Sequence, residues 1–140
     1  MQCTAPKSDQ TRAQRKARRS FPGTPANVGE ARTWTETTLT KWGVRMPDTL
    51  TLVVSELTTN SVTHSFSGHP GGQFTLRLAV HEDRIRITVR DAGPKIGRTP
   101  TRRTPTLTAK HGRGLALVEA LSLSWGALTI GTGVYAEVAR

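Results

Sequence analysis

Acidic residues, cysteine, aromatics and long apolar runs are all scarce in this sequence, and each shortage excludes something. Cys3 is the one cysteine, which rules out an intramolecular disulfide and a cysteine metal cluster and suits a reducing compartment. The four histidines fall at no ligand spacing. No run approaches the roughly 18 apolar residues of a membrane span, and the basic N-terminus has no apolar segment of the kind a signal peptide needs. A cytoplasmic protein without membrane contact is therefore expected. Aromatics make up 5%, and no aromatic platform, reading helix or zinc module supports specific nucleic-acid recognition. Asp and Glu number 10 against 20 Lys and Arg, a net charge of +10, which signals an anionic partner without choosing its kind.

The 140 residues, of which 35% are hydrophobic, suit one domain with a tail. The apolar shortage is local. Residues 1–19 hold Lys7, Arg12, Arg15, Lys16, Arg18 and Arg19 against Asp9 alone and are expected to form a disordered basic arm. Residues 20–140 form the domain. Thr24 and Pro25 read as the N-cap and first position of a helix carrying Ala31, Trp34, Leu39 and Trp42, ended by Gly43. A second helix follows Asp48 with Leu50, Val53, Val54, Leu57 and Val62 on its apolar positions. "QFTLRLAV" and "RIRITVR" alternate as two strands around "HEDR", and "SWGALTIGTGVYAEVA" reads as a final strand pair after a helix at "GRGLALVEAL". Trp34, Trp42 and Trp125 read as packing residues. The element order favours an α+β two-layer sandwich, with helices on one face of a mixed, mainly antiparallel sheet.

Three stretches could carry chemistry. Glu56 and Asn60 in "ELTTN" stand four residues apart, one above the other on a helix. They read either as a solvated polar face or as a carboxylate base beside an amide oxygen able to ligate Mg2+ with a nucleotide's phosphates. Asp91 and Gly93 in "VRDAGP" read as a turn, or as an acceptor at the sheet rim beside a close backbone approach to a flat ligand. "HGRGL" puts glycines at a helix start, which is an ordinary junction or an anion cradle of free N–H groups. Between the last two, a loop over 94–111 and Arg113 beyond it hold Lys95, Arg98, Arg102, Arg103 and Lys110 with no acid. Most of these cations read as solvated, with Lys110 and Arg113 best placed to close over a triphosphate as a lid.

In this order, and followed by "GTGVY", these pieces resemble the nucleotide-binding boxes of the ATPases shared by DNA gyrase, heat-shock chaperones, histidine kinases and MutL. Over residues 20–139 the chain looks most like the small anti-sigma-factor serine kinases of the RsbW and SpoIIAB type, and especially the stand-alone actinobacterial forms, whose start is similar to "FPGTP". The resemblance implies a Bergerat-type ATP-binding fold with ATP and Mg2+ as cofactors. It makes Glu56 the general base and Asn60 the metal ligand, with Asp91 accepting from the adenine amino group over Gly93. It gives Gly112, Arg113, Gly114 and Leu115 to the phosphates and Thr132 to the adenine-side water network. Two departures stand out: Lys95 replaces a glycine of many members, and Gly133 replaces a Thr of close relatives.

The implied function is an ATP-binding anti-sigma factor with serine/threonine kinase activity toward an antagonist. Its expected partners are a sigma factor and an anti-anti-sigma-type protein, and relatives that pair through this domain make a homodimer plausible. The alternative is a nucleotide-gated protein-binding module without turnover. Nucleic-acid binding through the basic arm, the third reading, would be weak and salt-sensitive.

Overall fold

The computed structural model describes residues 13–64, 69–91 and 112–140. Strand β1 (Arg15–Pro22) leads into helices α1 (Ala26–Lys41) and α2 (Asp48–His64). The hairpin β2 (Gln73–Val80) and β3 (Arg84–Arg90) follows, then helix α3 (Gly112–Leu121) and the hairpin β4 (Ser124–Ala127) and β5 (Gly133–Ala139). The sheet order is β1-β2-β3-β5-β4. Every pairing among the described residues is antiparallel, so the expected α+β two-layer architecture holds and the parallel component of a mixed sheet does not appear among them.

Period-two alternation builds the sheet. Phe74, Leu76, Leu78 and Val80 of β2, Ile85, Ile87 and Val89 of β3, and Val134, Ala136 and Val138 of β5 are buried toward the helices. Between them Thr75, Arg77, Ala79, Arg86, Tyr135 and Glu137 occupy the opposite face. Among the described residues that face carries no helix. Arg84 there bonds both Asp83 and Glu137. Burial works against its charge, but these two carboxylates outweigh it and hold the guanidinium above its ordinary pKa.

The basic arm is a correction in part. Arg15 to Arg19 belong to β1, which pairs with β2 from Arg15↔Val80 to Pro22↔Gln73. An edge strand open to solvent on one face can be as heavily charged as this one, with Arg15, Lys16, Arg18 and Arg19 among its residues, because the ladder needs only its backbone. Its anchor is Phe21, 1% exposed, stacked on Phe74 at 5.4 Å and edge-on to Trp34 at 6.1 Å. Residues 1–12 lie outside the described residues.

Helix α1 starts one residue later than the sequence places it, with Pro25 rather than Thr24 at the N-cap position and no side-chain cap. The backbone carbonyl of Thr24 accepts from the Asn27 N–H at 2.9 Å, while the Thr24 hydroxyl accepts from the Asn27 side chain at 2.7 Å. Its buried spine is Ala31, Thr35 and Leu39, with Trp34 and Trp42 partly buried beside it. Thr35 is tolerated there because its hydroxyl donates to the Ala31 carbonyl at 2.8 Å. Gly43, at φ 73°, closes the helix: its N–H donates to Thr40 and that of Val44 to Leu39, a Schellman ending. Helix α2 packs on α1, α3 and three strands, burying Leu50, Val53, Val54, Leu57, Thr58 and Ser61. It is the central helix of the layer. No described helix is long and apolar enough to cross a membrane.

Candidate functional site

Glu56 and Asn60 project from α2 on one ridge, both half-buried, beside the face that enters the core. Around them the helix is heavily fixed. Leu57 and Thr58 are buried, and the Thr58 hydroxyl donates to the Val54 carbonyl at 2.7 Å. Ser55 donates to Thr51 at 2.9 Å and accepts from Arg32 of α1 at 3.2 Å. The two polar residues therefore sit on a helix whose rotation and tilt are set by burial and by ties to its neighbour. Such a helix presents a carboxylate and a hard carboxamide oxygen together at small entropic cost.

Asp91 follows β3 immediately and is half-buried. It is held from the β4–β5 connection. Its N–H donates to the Thr132 carbonyl at 3.1 Å, and the Thr132 hydroxyl donates to the Asp91 carbonyl at 2.8 Å. Next to it, Arg90 Nη1 donates to the Ile130 carbonyl at 3.0 Å. These three bonds clasp residues 130–132 to the end of β3. The glycines of "GTG" make the clasp sterically allowed. Gly131 lies at φ 81° and Gly133 at φ 143°. A Cβ on Gly131 would overlap the Arg90 guanidinium, and one on Gly133 would overlap the Val89 carbonyl oxygen. A side chain at position 133 would thus meet the β3 backbone, and the Thr132 hydroxyl is the one that bonds Asp91.

Gly112, Arg113 and Gly114 open α3, where N–H groups have no partner within the helix. Leu115 is 2% exposed in the core, so its side chain seats the helix and can meet no ligand. Gly93, Lys110 and the lid expected over 94–111 lie outside the described residues. Among the described residues the structure joins Asp91 to Thr132 by hydrogen bonds and Glu56 to Asn60 by helical stacking. Sequence reasoning missed Arg90. Its one signal was its place as the last residue of a strand before Asp91, which does not distinguish a strut from a solvated arginine.

A family model described as the histidine kinase-like ATPase domain matches residues 21–126. The chain belongs to that family. An ATPase domain implies ATP as the ligand, and the architecture of the described residues, three helices on an open antiparallel sheet, agrees with it. The final box, Gly131–Tyr135, lies beyond the matched residues, so its place in the site rests on the bonds to Asp91. Among curated relatives, an anti-sigma F factor of Bacillus cytotoxicus is 32% identical over 72 residues, covering 48% of this chain and 49% of that protein. The serine-protein kinase RsbW of Bacillus pumilus is 35% identical over 83 residues, covering 51% of each. RsbW of Listeria monocytogenes is 32% identical over 81 residues, covering 51% and 52%. The chain thus spans about half the length of the curated relatives it matches, and the relationship is the one that the four boxes imply.

Proposed function

We propose that this chain binds ATP with Mg2+ and acts in the cytoplasm as an anti-sigma factor that phosphorylates a serine or threonine of an antagonist protein. The observation that carries the reading is the clasp of Asp91 to Thr132: it fixes an acceptor at the end of a central strand, where a base-reading carboxylate has to be rigid. The activity and the partners, a sigma factor and an anti-anti-sigma-type protein, are suggested by the names of the relatives.

Asn60 offers one neutral oxygen, half-buried, and a metal completed by phosphates and water is the set that Mg2+ adopts. The residues fit the ion. When bound, Mg2+ supplies alignment and charge neutralisation of the phosphates. Asp91 accepts from the adenine amino group, and the opening amides of α3 face the phosphates. Glu56 accepts the proton of the antagonist's hydroxyl as that oxygen bonds to the γ-phosphorus and the bond to the β-phosphate oxygen breaks.

Calorimetry of ATP binding with and without Mg2+ tests the site. Asp91→Ala is expected to lose all binding, and Asn60→Ala only the Mg2+-dependent part. Undiminished binding by Asp91→Ala would show the adenine assignment to be wrong. Labelled ATP with a candidate antagonist then tests transfer. Label on the antagonist with wild type and none with Glu56→Ala supports the kinase; no label with wild type leaves a nucleotide-gated binding module.

A further inference from the structure

The sheet face on which no described helix packs is one-sided in charge. Lys16 and Arg18 of β1, Arg77 of β2 and Arg84, Arg86 and Arg90 of β3 project from it, and Glu137 is the only acid among the strand residues on that face. Three of the six cations are accounted for within the fold. Arg84 and Arg86 both bond Glu137 at 3.3 Å, Arg86 also lies 4.0 Å over the Tyr135 ring, and Arg90 holds Ile130. Lys16, Arg18 and Arg77 are exposed, and no acidic side chain among the described residues pairs with them.

Arg18 and Arg77 are also register partners, directly opposite each other. Like charges in that relation destabilise a sheet, so the fold carries a repulsion at this corner that an anion would relieve. The Ser20 and Thr75 hydroxyls, hydrogen-bonded at 2.7 Å in the neighbouring register row of the same face, extend the polar surface.

From this we infer that the open face of the sheet binds the phosphate backbone of DNA, without reading its sequence, through Lys16, Arg18 and Arg77. Two observations favour phosphates over an acidic protein. A protein interface is centred on apolar or aromatic anchors, and this face offers none: Tyr135 is covered by Arg86, and the exposed large hydrophobics, Leu52, Leu123 and Ile130, lie in α2 or outside the strands. The free cations are mostly arginines, whose planar fork suits phosphate oxygens. Lys16, Arg18 and Arg77 are not among the residues assigned to the nucleotide site.

Three phosphate contacts give a log–log salt slope of about −2.7 on B-DNA, so affinity falls about 40-fold between 50 and 200 mM salt. The test is fluorescence anisotropy of a labelled DNA duplex of arbitrary sequence, titrated with the full chain at several salt concentrations. Three double variants each remove two charges: Arg18→Gln with Arg77→Gln on the face, Lys41→Gln with Arg45→Gln at exposed positions on the helix side, and Lys7→Gln with Arg12→Gln near the N-terminus. The face variant alone is expected to flatten the slope by about 1.8, and it should melt no lower than wild type because it removes the like-charge pair. Equal losses in all three variants, loss confined to the N-terminal one, no binding by wild type, or a face-dependent preference for an acidic peptide over DNA would each overturn the proposal. So would a lower melting temperature of the face variant.

Discussion

Replacing Gly133 by alanine tests the junction on which the candidate site depends. Gly133 faces Arg90 in the register of β5 with β3, at φ 143°. Its absent Cβ would overlap the Val89 carbonyl oxygen and lie 2.9 Å from Arg90 Cα and 3.0 Å from the Val89 carbonyl carbon. All three atoms are backbone of a central strand, so no rotamer change relieves the contact. Strain of an L-residue in this conformation costs roughly 1–3 kcal/mol, and opening the ladder at its neighbours forfeits about 1 kcal/mol per hydrogen bond lost. A total of about 3–5 kcal/mol is expected, against the roughly 5–15 kcal/mol that holds a typical domain.

Two other glycines supply the controls. Gly71 has φ 81°, with nothing within 4 Å of the place an alanine methyl would take, so alanine there reports backbone strain alone, about 1–2 kcal/mol. Gly131, also at φ 81°, would meet only the Arg90 guanidinium, the far end of a flexible side chain that can swing aside at the loss of its bond to Ile130. Thermal and urea melts should therefore rank the losses Gly71→Ala, then Gly131→Ala, then Gly133→Ala. If Gly133→Ala is no worse than Gly71→Ala, the β3 and β5 backbones do not approach as described, and the clasp on Asp91 loses its footing.

Thr132→Val keeps the shape but deletes the hydroxyl that donates to the Asp91 carbonyl; a stability loss of about 1 kcal/mol, read in urea melts, is expected, with weaker ATP binding by calorimetry. Phe21→Ala removes the one fully buried aromatic of β1. It should cost about 3–5 kcal/mol, and hydrogen exchange should show the amides of β1 losing protection before those of β2. Glu137→Gln leaves Arg84 and Arg86 without their shared carboxylate; because Arg86 is partly exposed, the loss should be only about 0.5–1 kcal/mol and should shrink in high salt.

What the sequence made legible follows burial. Helix α2 and the β2–β3 hairpin show their apolar periods because each buries one face and leaves the other wet. Strand β1 does not, since only Phe21 along its length is fully buried and charge dominates the rest; its evidence is the backbone ladder, which has no side-chain signature. Thr35 escaped for a related reason. A hydroxyl returned to its own helix is as burial-tolerant as a small apolar group, yet it reads as polar. Within the candidate site, the spacing of Glu56 and Asn60 put them on one ridge of a helix but left a solvated polar face equally open, and only the order of the boxes favoured a site. The Asp91–Thr132 contact joins residues 41 apart, and no local period reports it; only the order of the glycine boxes pointed there. Gly133 was the hardest to read, because a positive φ and a close backbone approach both depend on a strand that is distant in sequence.

The two halves of the site consequently rest on different supports. Glu56 and Asn60 are positioned by α2, which is held by core burial and by Arg32. Asp91 is positioned by a hairpin connection whose hold is two hydrogen bonds to Thr132, braced by Arg90 and by glycines that permit close approach. A perturbation of one support need not reach the other. Loosening the clasp should weaken recognition of the base while leaving the phosphate side intact, whereas loss of the Glu56 carboxylate should stop transfer without releasing the nucleotide. On the proposed assignments binding and turnover are therefore separable: a variant that kept the clasp and Asn60 but lost the Glu56 carboxylate should still bind nucleotide, and measuring binding and transfer side by side in Glu56→Ala tests that separation.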